Sequence, residues 1–198
     1  MDVKLCIYMP TCNRRECIAR ILSTEIELLR KANVDIRIYD SSTGNDTKSL
    51  VLDYQNKGYE NLFYEHVDYS IHPNRKAYQI FQEAELTNYD YIWLLHDHTV
   101  CTDISALSYI LYSLQEGYDF YLLNMQSNTY RMTEIQSLDE FLVKGAWPLN
   151  SFGASIIRVA SFIKGTDWRA ISDKYLKDKT LNYAHIGFYF ERASQIEH

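Results

Sequence analysis

The chain has 198 residues, 46% of them hydrophobic, which suits one domain with a substantial core and excludes a disordered segment. Its formal net charge is −6. That balance excludes a protein that wraps nucleic acid, which needs a basic face, yet it permits a nucleotide ligand if a divalent cation lies between acidic side chains and a diphosphate.

Cys6, Cys12, Cys17 and Cys101 form no C-x-x-C pair, and three of them share one short stretch. This pattern reads as reduced, intracellular chemistry and not as a disulfide framework. The opening MDVKLCIYMP lacks the basic-then-apolar layout of a signal peptide. No apolar run approaches the roughly 20 residues that span a bilayer. A cytoplasmic protein is expected, with a surface helix as one route to the inner face of a membrane. The 17 tyrosines suit stacking on sugars and bases, and equally suit half-buried helix and sheet positions.

In chain order, Lys4–Met9 is an apolar run closed by Pro10 and reads as a buried strand. Arg14–Lys31 carries apolar residues at helical spacing, with Asn13 as its N-cap. Val34–Tyr39 reads as the second strand. After the turn-rich Asp40–Asp46, Thr47–Lys57 reads as a helix. Leu62–His66 is a strand, Asn74–Leu86 a helix and Tyr91–Leu95 a strongly apolar strand. Asp103 caps a helix over Ile104–Glu116, and Tyr118–Asn124 is a further strand. In the less regular second half, Ser137–Glu140 fits a capping box and Trp147-Pro148 marks a break. Phe152–Val159 reads as a strand, with helices over Ile171–Leu181 and His185–Ile196.

Strands alternating with helices predict an α/β fold: a mostly parallel sheet covered on both faces. Ligands of such sheets bind at the carboxyl ends of the strands. The informative residues are therefore Thr11–Asn13, Asp40–Ser42, Tyr69–Arg75 and His96–His98.

Those residues resemble a known family. The strand ending in Pro-Thr-Cys-Asn-Arg looks like the opening of the family 2 glycosyltransferases. Asp40-Ser-Ser-Thr-Gly-Asn-Asp-Thr47 is similar to that family's Asp-Asp-Gly-Ser-x-Asp-x-Thr turn. Tyr89–Thr99 (YDYIWLLHDHT) resembles its strand running into an Asp-x-Asp metal motif, and Ser151–Arg158 resembles its acceptor-side segment. Four motifs in the right order are more specific than any one of them. The resemblance implies a single GT-A domain, with a nucleotide-binding half over about residues 1–100 and an acceptor-side half over about residues 101–198. It also implies a nucleoside-diphosphate sugar donor, a divalent metal, inversion at the anomeric carbon, and a glycan or lipid-linked acceptor.

By that resemblance Asp40, with Ser42 beside it, contacts the nucleoside, typically uridine, and Pro10, Thr11 and Asn13 form the floor beneath it. Asp40 also suits an ordinary turn, and Asn13 a helix cap. Arg75 and Lys76 open a helix and either meet phosphate with its N-terminus or are simply solvated. His96-Asp97-His98 stands where the family places aspartates. Either Asp97 with a flanking histidine (His98 or His96) holds Mn2+ or Mg2+, or the site works without metal, or the domain is inactive. Along an extended chain, positions 96 and 98 point one way and 97 the other. Asp167, in Gly165-Thr166-Asp167-Trp168, is the candidate base for the acceptor hydroxyl; it is equally a helix N-cap.

Other chemistries fit less well. A zinc hydrolase needs a second ligand cluster, and His66, His72, His185 and His198 are scattered. G-x-S-x-G and Gly-rich phosphate loops are absent. The alternative within the fold is a non-catalytic nucleotide-binding subunit of a glycosyltransferase assembly. The His-Asp-His substitution and the chain's shortness for the family motivate it.

Overall fold

Alternation along the first strand organises the molecule. The computed structural model describes residues 3–99, 104–123, 134–145, 148–177 and 183–196. In β1 (Leu5–Thr11), Leu5, Ile7 and Met9 join one buried cluster while Cys6 and Tyr8 join another on the opposite face. The same division holds in β4 (Tyr91–Leu94), with Trp93 on the first face and Ile92 and Leu94 on the second. A strand apolar on both sides must be covered on both sides.

β1 is flanked by β2 (Asp35–Asp40) and β4, and β2 by β3 (Leu62–His66), all parallel. β6 (Ser155–Arg158) pairs antiparallel to β4, and β5 (Phe120–Leu122) antiparallel to β6. The sheet is thus six-stranded and mostly parallel, in the order β3-β2-β1-β4-β6-β5. On the first face lie α1 (Arg15–Lys31), α2 (Asp46–Gln55) and α4 (Ile104–Ser113), contributing Ile18, Leu22, Val51 and Leu107. On the second lie α3 (Pro73–Glu85), α5 (Leu138–Gly145), α6 (Trp168–Tyr175) and α7 (Ala184–Ala193). Their Phe81, Phe141, Ile171 and Phe188 build an aromatic core, in which Phe81 and Phe188 stack at 5.0 Å.

Several helix ends differ from the sequence reading. Asn13 does not cap α1: Arg14 occupies the N-cap without a side-chain bond, and Asn13 adopts a left-handed backbone (φ 53°). α3 starts one residue earlier than expected, because Pro73 takes the first helical position and His72 Nδ1 accepts from Asn74 N at 3.3 Å. The strand expected over 152–159 shrinks to Ser155–Arg158. A tight turn over Phe152–Ala154 precedes it, held where Trp93 Nε1 donates to Gly153 O at 2.8 Å. Ser137 does cap α5, accepting from Glu140 N at 3.1 Å, and Glu140 reaches back to Gln136 N at 3.2 Å. Asp103, Asn124 and Trp147, together with residues 178–182, lie outside the described residues.

Candidate functional site

The carboxyl ends of β1, β2 and β4 meet. Thr11 pairs in register with Asp40, and Ser41 N donates to Thr11 O at 3.1 Å. Asp40 is 0% exposed. Its Oδ1 accepts from Ser42 N at 2.9 Å and Ser42 Oγ at 2.5 Å, and its Oδ2 accepts from Tyr64 OH at 3.0 Å. The Ser42 bonds are the turn-forming role of an aspartate after a strand. Burial, and then the bond to Asp40, pushes the Tyr64 phenol up. The left-handed Asn13 turns its own N–H onto Ser42 Oγ at 2.7 Å, so the loops after β1 and β2 are tied together. Half-buried Pro10 lies opposite Tyr39 in the same register.

Asp97, just beyond β4, is 3% exposed. Its Oδ2 accepts from Thr11 Oγ1 at 2.8 Å, and its Oδ1 accepts from Arg14 Nη1 at 3.1 Å. His98 Nδ1 lies 3.4 Å from the same Oδ1. The two histidines share a side: their rings stack at 4.7 Å and 25°, and His96 meets Phe152 edge-on at 5.2 Å. Burial and the neighbouring His98 push the His96 imidazole down. Arg20 Nη2 donates to His98 O at 3.1 Å, holding the turn from the α1 side.

The structure separates the adjacent Arg75 and Lys76. Lys76 is buried, and its ammonium donates to Thr11 O at 2.8 Å and Ser41 Oγ at 2.5 Å. Burial pulls its pKa down, while Cys12, Asp40 and Asp97 oppose that pull. Arg75 is exposed and reaches Leu176 O at 3.5 Å, away from this cluster. Neighbouring helical positions differ by about 100°, which sends one side chain inward and the other out.

Asp167 does not join the site. It is the exposed N-cap of α6, accepting from Arg169 N at 3.1 Å and Ala170 N at 3.0 Å. Its neighbours Gly165 N and Trp168 Nε1 bind the carboxylate of Glu85 at 2.9 and 2.6 Å. Glu85 ends α3, about 14 Å along the helix from Lys76. Asp167 therefore sits toward the amino edge of the sheet, opposite Asp97.

Three residues that sequence reasoning left aside are in place here. Arg14 was legible only as the end of Pro-Thr-Cys-Asn-Arg, and Arg20 carried no signal. His185 looked like one scattered histidine. It lies in the first turn of α7, 1% exposed, with its ring stacked on Phe152 at 4.2 Å and its Nε2 3.1 Å from Leu149 O. A carbonyl partner requires the proton on Nε2, which leaves Nδ1 bare; among the described residues it is buried without a partner. Burial pushes this imidazole down to about 4.

Among the described residues no three His, Cys, Asp or Glu side chains gather around one point. Asp97 and His98 supply one carboxylate oxygen and one adjoining imidazole nitrogen. That set fits Mn2+ or Mg2+ only as half a site, completed by phosphate oxygens and water, as hard cations at nucleotide sites commonly are. Among the same residues no helix is long and apolar enough to cross a membrane.

Three comparisons bear on this arrangement. No curated protein matches the sequence. Among solved structures, S. aureus TarS 1-349 superposes with a TM-score of 0.61 at 14% identity, covering 96% of this chain and 55% of that one. Its complex with UDP-GlcNAc gives 0.58 at 15% identity over 81% of this chain and 46% of that one. The mannosyltransferase PcManGT from Pyrobaculum calidifontis, in complex with GDP-Man and Mn2+, gives 0.53 at 11% identity over 93% and 51%. The chain spans about half the length of these proteins, and at such identities the likeness is one of fold. The family model described as Glycosyl transferase family 2 matches residues 6–187. With that match across nearly the whole chain, on a six-stranded α/β sheet whose strand ends assemble Thr11, Asp40 and Asp97, the chain belongs to glycosyl transferase family 2.

Proposed function

We propose that this chain moves a sugar from a nucleoside diphosphate, uridine diphosphate foremost, to a hydroxyl of a glycan or lipid-linked acceptor. The transfer inverts the anomeric carbon, and it serves cell-surface polysaccharide or glycoconjugate synthesis at the cytoplasmic side of a membrane. One observation carries the reading: the loops after β1, β2 and β4 converge so that Asp40 and Asp97 lie on either side of Thr11. TarS bound to UDP-GlcNAc and PcManGT bound to GDP-Man and Mn2+ support it.

In this reading Asp40 and Ser42 receive the nucleoside, over a floor of Pro10, Thr11 and Asn13. Lys76 holds that floor from beneath and adds positive charge under the diphosphate. Asp97 with His98 would hold Mn2+ or Mg2+, which supplies Lewis-acid stabilisation of the leaving diphosphate. His96 backs His98 through its stacked ring. Fixed charges and donors aimed at a leaving group act strongly in such a site because they need no reorganisation during the reaction. The displacement also needs a group to take the acceptor proton. One observation favours a second reading, a nucleotide-binding subunit without turnover: Asp167 is turned away from the site.

Calorimetry with uridine and guanosine diphosphates, in Mn2+, in Mg2+ and in chelator, tests the donor site. Metal-assisted binding of the uridine compound, lost in Asp97→Ala, is expected. No binding of either nucleotide would sink the donor-site assignment. Nucleotide binding with no donor cleavage, across uridine and guanosine diphosphate sugars, would select the second reading.

A further inference from the structure

Both oxygens of Asp97 are engaged before any ligand arrives. Thr11 occupies Oδ2, and Arg14 occupies Oδ1, the oxygen that His98 also flanks. Oδ1 is therefore the oxygen a cation shared with His98 would have to take. The two Asp97 contacts differ in kind. Thr11 is a buried strand residue and cannot leave. The Arg14 side chain is 57% exposed, lies at an N-cap without any capping bond, and can swing off Asp97 into solvent.

The local charges point the same way. Asp40 and Asp97 contribute two carboxylates, and two cations come from buried Lys76 and from exposed Arg14. Arg20 adds a third cation on the far side of the His98 turn. A bare divalent ion entering this cluster adds two positive charges where cations already outnumber carboxylates, at a few ångströms from a guanidinium. The same ion entering with a diphosphate nearly cancels. A diphosphate also presents paired oxygens, which a planar guanidinium binds at least as well as it binds one carboxylate oxygen.

We propose that Arg14 and the divalent cation are alternative partners of Asp97 Oδ1, so that Arg14 shuts the metal half-site until a nucleotide diphosphate draws its guanidinium away. The inference rests on the donor-site reading above. It makes Arg14 a positioning residue with two opposed effects: against the metal when the nucleotide is absent, and for the diphosphate when it is present. Linkage then requires metal and nucleotide each to tighten the other's binding by the same factor.

The test uses the whole chain, Arg14→Gln and Arg14→Lys. Mn2+ binding without nucleotide is read by electron paramagnetic resonance, and uridine diphosphate binding in Mn2+ by calorimetry. Thermal melts check the fold, which a half-exposed, non-capping side chain does not hold. Arg14→Gln is expected to bind Mn2+ alone roughly tenfold tighter, and uridine diphosphate with Mn2+ roughly tenfold weaker, one charged hydrogen bond gained and lost. Arg14→Lys, which keeps the charge but not the fork, is expected to fall between. If wild type binds the nucleotide with Mn2+ while Arg14→Gln leaves Mn2+ affinity unchanged, the gate is overturned and the donor site stands. If Arg14→Gln tightens Mn2+ without weakening the nucleotide, the exchange onto the diphosphate is overturned. If wild type binds no nucleotide with or without Mn2+, the donor-site reading falls and the gate falls with it.

Discussion

Thr11 Oγ1 donates to Asp97 Oδ2 at 2.8 Å, joining the carboxyl ends of two adjacent parallel strands through a buried hydrogen bond. The residues are 86 positions apart in sequence. Thr11→Val keeps the shape and the β-branched fit to the strand but leaves an oxygen of Asp97 buried and unpaired. A loss of about 1–3 kcal/mol in urea unfolding is expected, with weaker uridine diphosphate binding in Mn2+; Thr11→Ser is expected to recover both. Equal stability of the Val and Ser variants would show that the bond contributes nothing.

His185 links acid pH to stability. Its imidazole falls from 6.5 to about 4 because burial disfavours the charged ring. Below pH 6.5 the unfolded chain takes up a proton that the folded chain refuses until about pH 4, so stability falls across that window as pH drops. At 1.36 kcal/mol per unit, the full loss is about 3 kcal/mol. His185→Gln retains a donor for Leu149 O but does not titrate. Its deficit relative to wild type is expected to shrink between pH 7.5 and pH 4.5 in unfolding titrations. Parallel profiles for the two proteins would refute the assignment.

Asp167 is assigned a structural role with a measurable size. It caps two N–H groups of α6. Asp167→Ala is expected to lower stability by about 1 kcal/mol, with Asp167→Asn or Ser restoring most of it. Nucleotide affinity, and donor cleavage where it occurs, are expected to stay at wild-type level. A selective fall in turnover with stability intact would return Asp167 to the site.

Gly187 tests the packing of α7 on α6. Replacing glycine by alanine inside a helix usually stabilises by about 1 kcal/mol. Here a Cβ would lie 2.4 Å from the ring of Tyr175. That ring is tethered by its hydroxyl to Glu191 at 2.7 Å, with Lys174 on the same carboxylate oxygen at 2.7 Å. Gly187→Ala is expected to destabilise by about 1–3 kcal/mol despite its helix preference. Adding Tyr175→Ala should reverse the sign, and a stabilising single variant would show that the ring moves freely.

The local pattern was sufficient for the four parallel strands of the sheet. Lys4–Met9, Val34–Tyr39, Leu62–His66 and Tyr91–Leu95 are short apolar runs between helical periodicities, and each became a parallel strand. The residues after those strands, Thr11, Asp40 and Asp97, were legible because a parallel sheet presents its strand ends on one edge. Extended geometry would set His96 and His98 against Asp97, but a turn closed by Thr99 N on His96 O at 3.1 Å intervenes and brings His98 Nδ1 to 3.4 Å from Asp97 Oδ1.

The sequence by itself thus determined the alternating α/β order and the strand edge on which the candidate residues gather, both of which depend on spacing within a few residues. Tertiary structure alone decided the rest. Whether Arg75 or Lys76 turns inward depends on the angle at which α3 docks on the sheet. Whether Asp167 reaches the site depends on the antiparallel course of β6, which delivers that loop to the amino edge. Arg14 meets Asp97, and His185 meets Phe152, because residues 83 and 33 positions apart are brought together by strand order and core packing. No local propensity encodes such contacts, since they form only when the two apolar faces of the sheet are buried together.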